Sequence, residues 1–444
     1  MGRIRNHQLH GSLGILYDAR MSAAPTASLV LSFEEARALI EREAGRAIPV
    51  ATEAIELLRA SGCVLAEPVL ADRDLPPFAR STRDGYAVRS ADLANVPATL
   101  NVIAEIKAGE KLENIPAGIN QGEAVAIMTG ARVPDGADAV VMIEYTKLHG
   151  ERVEIARPVS AGENIVPRGA EAAKGSTVLT RGVRLTEAGI GVAASVGKSH
   201  LQVFRRPRVA MLTTGDEIVA VDATPGPTQI RNSNTYSLAV QIERAGGTPV
   251  LLPVAPDEPH ALRRLIEKGL ESDLLILTGG VSMGRYDLVE QVLAELHAEF
   301  FFTGAKIQPG RPVVFGKCSA VTCGAGTPAR ESAKYFFGLP GNPVSTMVTF
   351  ELFARPTLEA LAGMSPHKLT FVHAKLKSEV RVKPGLKRFL PAILSGEFEN
   401  SQVELVPWQG SGDIAATARA NCYVVISADR ERLAPGEFVP VMLR

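Results

Sequence analysis

Neither sign of charge dominates this chain: 48 Lys and Arg balance 48 Asp and Glu over 444 residues. No global basic field is therefore available to gather a polyanion, which argues against a generic nucleic-acid binder. Cysteine is scarce. Cys63, Cys318, Cys323 and Cys422 form no C-x-x-C pair, which excludes a disulfide scaffold and the usual zinc spacings and fits reduced thiols in a cytoplasmic protein. No stretch reaches the ~18 apolar residues of a membrane span. GSLGILYD, behind Arg3 and Arg5, is no secretory core, so residues 1–30 read as a disordered leader with Met21 as an alternative start. The eight histidines show no H-E-x-x-H spacing, a Walker loop is missing, and nothing marks a Ser–His or Cys nucleophile. What remains is ordinary globular composition, long enough for roughly three domains. With 40 Gly and 29 Pro against 5% aromatics, tight loops are expected more than long helical bundles.

Three textures follow one another. Ser32-Phe-Glu-Glu35 is a capping box, and Ala36, Leu39 and Ile40 supply one apolar helix face ending near Gly45. A second helix is predicted over Thr52–Ser61, closed by Gly62. From Leu75 to about Ala156 short β-like runs (YAV 86–88, VAIM 125–128, AVVMI 139–143, RVEIA 152–156) predict a β-rich insertion. From Pro207 apolar strands alternate with helices at Thr235–Ala245, Pro259–Leu270 and Asp287–His297, the pattern of a parallel sheet covered on both faces. Beyond Pro366 the evenly spaced runs FVHAKL, RFLPAIL, QVELVPW, CYVVIS and FVPVML predict a small separate β-barrel or sandwich.

The chemistry gathers on the loops. TTGDE (213–217), TGGVSMGRYD (278–287) and GLPGNPVS (338–345) each follow a predicted strand, and a parallel sheet places all three at its carboxyl edge, where ligands bind. Thr214, Gly215, Gly279, Gly280, Ser282, Gly284, Pro340, Gly341 and Asn342 are the candidate contacts. Asn342 suits an N-cap and Pro343 the first helical position, so the following helix is expected to offer free N–H groups, with Ser345 beside them, to an anion. IQPGRP (307–312) adds a guanidinium, Arg311, suited to a tetrahedral oxyanion or phosphate. Asp216, Glu217, Asp257 and Asp287 are carboxylates of the kind that hold Mg²⁺ beside phosphates. In the β-rich insertion Asp84, Thr129 and Asp135 flank apolar strands, although Asp84 in D-G also reads as a simple turn residue.

Taken in order, STRDGYAV, IMTGARVPDGADAVVMIE, LTTGDEIV, TGGVSMGRYD, PGRPVVFG and GLPGNPVSTMVTFELF resemble the molybdopterin molybdenumtransferases, the enzymes similar to the E domain of gephyrin. The resemblance runs from about Ser32 to Glu437. It implies a multidomain α/β plus β protein: a discontinuous domain I (31–74 and 157–204), a β-rich domain II (75–156), an α/β molybdopterin-binding domain III (205–366) and a C-terminal β-barrel domain IV (367–444). It implies a cytoplasmic homodimer that takes molybdate and adenylylated molybdopterin as substrates and uses Mg²⁺, releasing AMP and molybdenum cofactor. Its implied protein partners are a molybdopterin adenylyltransferase and downstream molybdoenzyme chaperones, with neither nucleic acid nor membrane. Carried over by motif, Asp84, Thr129, Glu217, Asp257 and Asp287 match the catalytic set. Of these, Glu217, Asp257 and Asp287 match the metal acids, while Arg311, Ser345, Ser411 and Arg388 fall at the molybdate site.

The chain departs from the family pattern at several points. Gln308-Pro-Gly-Arg311 stands where Lys-Pro-Gly-Lys is usual, Gly385–Leu386 replaces a Gly–Arg pair, and Pro391 stands for an Arg. Lys387 and Arg388 are the cations at hand to substitute. Glu171 replaces the Asp of an R-G-E-D loop, Arg83 replaces a Met, and the 322–334 loop is longer and expected as an exposed hairpin. Two other functions compete: a molybdopterin adenylyltransferase, usually a single short domain, and a non-catalytic molybdopterin-binding scaffold. The retained acids favour catalysis.

Overall fold

The computed structural model describes residues 29–280, 288–318, 333–366 and 368–444. They divide into two compact units, Ala51–Arg205 and the remainder of the chain.

Within Ala51–Arg205, a six-stranded sheet runs in the order Thr146–His149, Arg152–Ile155, Ala98–Ile106, Glu123–Ile127, Gly85–Val88, Ala139–Met142. Alternation assigns its two faces. Tyr86 and Val88 enter one buried cluster while Ala87, Val125 and Ile127 enter another, as the two-residue period of a strand requires. Gly85 sits where a β-carbon would run into the Val141 carbonyl oxygen, so Gly85–Val88 can lie between both its neighbours only with glycine there. A three-stranded sheet, Thr52–Glu56, His200–Phe204 and Val64–Leu65, packs with the helix Glu187–Ser195 over Leu65, Leu185, Ala193 and Val203.

Here the helix expected over Thr52–Ser61 is corrected. Thr52–Glu56 is a strand antiparallel to His200–Phe204, and only Leu57–Ala60 forms a 3₁₀ turn. Good helix formers in this stretch are overruled by a partner strand 144 to 152 residues away, a contact that local propensity does not register.

In the other unit, helix α1 (Phe33–Ala44) starts from the capping box as expected: Ser32 Oγ accepts from Glu35 N–H, and the Glu35 carboxylate accepts from Ser32 N–H. Strands β1 (Arg208–Thr213), β2 (Thr248–Leu251), β3 (Leu274–Thr278), β4 (Glu299–Phe302), β5 (Val314–Cys318) and β6 (Lys334–Leu339) form one sheet in the order β2-β1-β3-β6-β5-β4. The first four in that order are mutually parallel; β5 and β4 close the edge antiparallel. Val209, Met211 and Ile276 face one way, under α1, α2 (Asn234–Arg244) and α5 (Pro343–Thr349). Ala210, Leu212 and Leu277 face the other, under α3 (Pro259–Leu270) and α4 (Leu288–Glu295). This is the three-layer α/β arrangement that the alternating runs predict.

The C-terminal runs form a closed five-stranded barrel. Lys387–Ser395 pairs with both Gln402–Leu405 and Cys422–Ile426, and Phe371–Leu376 and Phe438–Leu443 complete the ring. A short parallel pairing, Ile307–Gln308 with Lys387–Arg388, ties the barrel to the 307–312 loop. Phe33 of α1 cements the same junction, its ring 6.0 Å from Phe353 and 5.4 Å from the barrel's Phe389. Among the described residues no helix is long and apolar enough to cross a membrane.

Candidate active site

The three Gly-bearing loops do meet at the carboxyl edge of the sheet. Thr214 N–H donates to the Thr278 carbonyl at 3.0 Å, and Gly279 N–H donates to that of Leu339 at 3.4 Å. Gly279 has φ +83°, and a β-carbon there would come within 2.6 Å of the Thr214 carbonyl oxygen. At Gly280 (φ +61°) a β-carbon would meet Thr214 Oγ1 at 2.8 Å. Loops this close leave room only for glycine. Among the described residues, Thr214 Oγ1 and Asn234 Oδ1 are buried without a hydrogen-bond partner. Such a cost is usually borne at a ligand-binding edge.

Beneath the loops lies a frame that the sequence did not reveal. Thr213 Oγ1 is 3.0 Å from both Thr235 Oγ1 and Thr278 Oγ1, and Asn234 Nδ2 donates to the Gly341 carbonyl at 2.7 Å. The start of α2 thereby braces the ends of β1 and β3 and the turn after β6. Its only sequence trace is the polar run Asn232-Ser-Asn-Thr235 ahead of an amphipathic helix.

The acids fall beside the first loop. Ala255 N–H donates to the Thr213 carbonyl, and Asp257 N–H donates to Asp216 Oδ1 at 3.2 Å. Partial burial, then the Asp216 and Glu217 carboxylates, push the Asp257 carboxyl above its ordinary range. No group of three or more potential metal ligands forms among the described residues. Ser282, Gly284 and Asp287, with most of the 322–334 loop, lie outside the described residues. Mg²⁺ needs only one or two carboxylates beside substrate phosphates rather than a protein-only cage, and Asp257 stands next to Asp216.

Arg311, Ser345, Ser411 and Arg388 come from four different segments of this unit. Gly310 (φ +101°) lies so close to α5 that a β-carbon would strike Thr349 Cγ2 and lie 3.7 Å from the Ser345 carbonyl oxygen. Ser345 is buried and Arg311 exposed. One expectation needs correcting. Asn342 occupies the N-cap position but makes no side-chain cap; its Nδ2 donates to Ser411 Oγ at 3.0 Å. The Val344 N–H is taken by the Ser411 carbonyl at 3.0 Å and that of Thr346 by Asn342 at 2.9 Å. The helix start is thus stitched to the barrel's 409–413 loop, and those two N–H groups are not offered to an anion. Lys387 is likewise committed, to Glu34 at 2.6 Å and over the Phe33 ring at 4.6 Å.

In the Ala51–Arg205 unit, Asp84 and Thr129 are brought together. Asp84 Oδ1 accepts from Thr129 N–H at 2.6 Å and Thr129 Oγ1 at 2.7 Å. These bonds, the backbone one foremost, hold the exposed Asp84 carboxyl below its ordinary range, so it stays ionised with one oxygen fixed.

Family models match along the chain: the MoeA N-terminal region (domain I and II) over 31–197, a "probable molybdopterin binding domain" over 210–360, and the MoeA C-terminal region (domain IV) over 373–443. A molybdopterin molybdenumtransferase of Nostoc sp. is 37% identical over 319 residues, covering 71% of this chain and 70% of its own. The chain belongs to the molybdopterin molybdenumtransferase family. Its Bacillus subtilis relative is 33% identical over 389 residues, covering 85% of this chain and 86% of its own. The molybdopterin biosynthesis MoeA protein of Pyrococcus horikoshii OT3 matches with a TM-score of 0.74 at 28% identity, over 94% of this chain and all of that one. Against this family the resemblance and the α/β-plus-β fold class both hold.

Proposed function

We propose that this chain inserts molybdate into adenylylated molybdopterin in molybdenum cofactor biosynthesis, releasing AMP and molybdenum cofactor. What supports the reading is family membership together with one observation: Gly-rich loops braced to near-contact at the carboxyl edge, flanked by carboxylates on one side and by the 307–312 loop, Ser345 and Ser411 on the other. The first half suits a phosphoanhydride, the second a tetrahedral dianion.

In this scheme Thr214, Gly215, Gly279, Gly280, Ser282, Gly284, Pro340, Gly341 and Asn342 seat the molybdopterin substrate. Arg311, Arg388, Ser345 and Ser411 hold molybdate by charge and hydroxyl donors. Glu217, Asp257 and Asp287 would hold Mg²⁺, and that ion would supply positive charge against the substrate phosphates. Asp84 and Thr129 act as an ionised acid and its orienting hydroxyl. The four-domain division, the homodimer and the adenylyltransferase and molybdoenzyme-chaperone partners are part of the same proposal. The deciding experiment is AMP release from adenylylated molybdopterin with and without molybdate and Mg²⁺. Release that ignores molybdate would refute the insertion step.

A further inference from the structure

Asp84 and Thr129 sit on separate turns, and their link lasts only while the two turns stay in step. Ser81, 1% exposed, reaches both. Its carbonyl accepts from Gly130 N–H at 2.8 Å, and its N–H donates to the Ala131 carbonyl at 3.0 Å. Its Oγ donates to the Arg83 carbonyl at 2.5 Å and accepts from Arg83 N–H at 3.2 Å. The backbone of this one residue grips the Thr129 turn, while its hydroxyl closes the turn that delivers Asp84. Every polar group of Ser81 has a partner inside the protein, so it can serve a substrate only through its neighbours.

The next residue is held as firmly. Thr82 N–H and Oγ1 both donate to the Asn164 carbonyl, at 3.0 and 3.2 Å, and Asn164 Nδ2 donates to the Val140 carbonyl at 2.8 Å. Asn164 has φ +60°, a backbone conformation uncommon for residues with a β-carbon and most accessible to asparagine and aspartate. The Asp84 carbonyl accepts from Ile143 N–H at 3.0 Å. Yet Thr82, Arg83 and Asp84 are exposed. Bonds this dense on a solvated turn fill no core; they fix where a side chain points. Asp84 Oδ1 takes both Thr129 bonds, which leaves Oδ2 for a substrate. We propose that Ser81 is the positioning residue of the Asp84–Thr129 pair, its hydroxyl setting the Arg83–Asp84 turn against the Thr129–Gly130 turn so that Asp84 Oδ2 keeps one direction. The inference rests on the reading of Asp84 as part of the catalytic set. Alanine at 81 keeps the backbone grip on Gly130 and Ala131 and loses only the hydroxyl, and water can reach the exposed Arg83 that it releases. The fold should therefore survive while the turn loosens.

The test follows the Asp84 carboxyl by NMR titration, alongside molybdate-dependent AMP release. The Thr129 N–H, then its hydroxyl, hold that carboxyl below its ordinary range, so a loosened turn should raise its pKa part of the way back. Ser81→Ala should show this rise and lower kcat/KM roughly 10-fold, a fraction of the ~100-fold that a 1 Å misplacement can cost. Ser81→Cys fills the site with only a weak donor and acceptor, and carries the same expectation should Ser81→Ala fail to fold. Ser81→Thr restores the hydroxyl within the strand Arg80–Ser81, where a β-branched residue fits. It should return the titration to its wild-type position and the rate to within about twofold, since the bond it remakes is the one alanine lost. A wild-type Asp84 titration in Ser81→Ala, or a folded Ser81→Thr as impaired as Ser81→Ala, would overturn the assignment. The titration needs no turnover, so it decides the role of Ser81 even if the proposed reaction fails. A raised Asp84 pKa with unchanged AMP release would sink the catalytic reading of Asp84 and leave the hold of Ser81 on the pair standing.

Discussion

Gly279→Ala and Gly436→Ala impose nearly the same backbone penalty, because the two glycines have φ of +83° and +81°. Alanine in that region costs ~1–2 kcal/mol. They differ in what the new methyl meets. Around Gly436 nothing lies within 4 Å, whereas at Gly279 the Thr214 carbonyl oxygen is 2.6 Å away. Reaching an ordinary contact of 3.4 to 4 Å requires the two loops to part by about 0.8–1.4 Å. Misplacing a reacting group by 1 Å can cost ~100-fold, so Gly279→Ala should lower kcat/KM for molybdate-dependent AMP release roughly 10- to 100-fold. Gly436→Ala should lose comparable stability and keep its activity. Thermal melts and initial rates on both variants separate strain from crowding. If Gly279→Ala turned over like Gly436→Ala, the spacing of these loops would not matter to the reaction.

Phe33→Ala should cost about 3–5 kcal/mol in denaturant unfolding, since it empties a buried ring site between Phe353 and Phe389; a loss under ~1 kcal/mol would mean α1 does not cement the barrel. The depressed Asp84 carboxyl makes the Asp84–Thr129 link favourable above the ordinary aspartate range, and that contribution is lost as pH falls through the lowered value. Thr129→Val removes the hydroxyl bond but keeps the backbone one, so NMR titration should find the Asp84 pKa raised part of the way; an unmoved pKa would show the hydroxyl to be idle. Asn234→Ala releases the Gly341 carbonyl and should raise KM for adenylylated molybdopterin several-fold while half-saturating molybdate stays put. Equal changes in both would place its effect elsewhere.

Legibility from sequence followed the range of the interaction. The capping box at Ser32, the helix over Pro259–Leu270 and the barrel strands were readable because their signals lie within one element. The loops were readable as a set because strand–helix alternation alone dictates that their ends share an edge. Asp84 and Thr129 were singled out by motif, but their pairing needed the sheet that brings Gly85 opposite Ile127. Thr52–Glu56 was misread because its partner strand begins at His200. The Arg388–Gln308 bond spans 80 residues and leaves no local trace. Nor does the capture of the Val344 N–H by Ser411, which is why the helix start looked freer in sequence than in the fold.

The parallel pairing of Ile307–Gln308 with Lys387–Arg388 has a consequence for the order in which the protein is made. All six strands of the α/β sheet have left the ribosome once Leu339 emerges, and the helical run that follows ends at Leu361. The 307–312 loop must still wait for Arg388, and the start of α5 for Ser411. A nascent chain can therefore own a folded sheet and its glycine loops while the 307–312 loop and the start of α5 still lack their barrel partners, so under the proposed function the oxyanion half of the site is completed last, by the barrel.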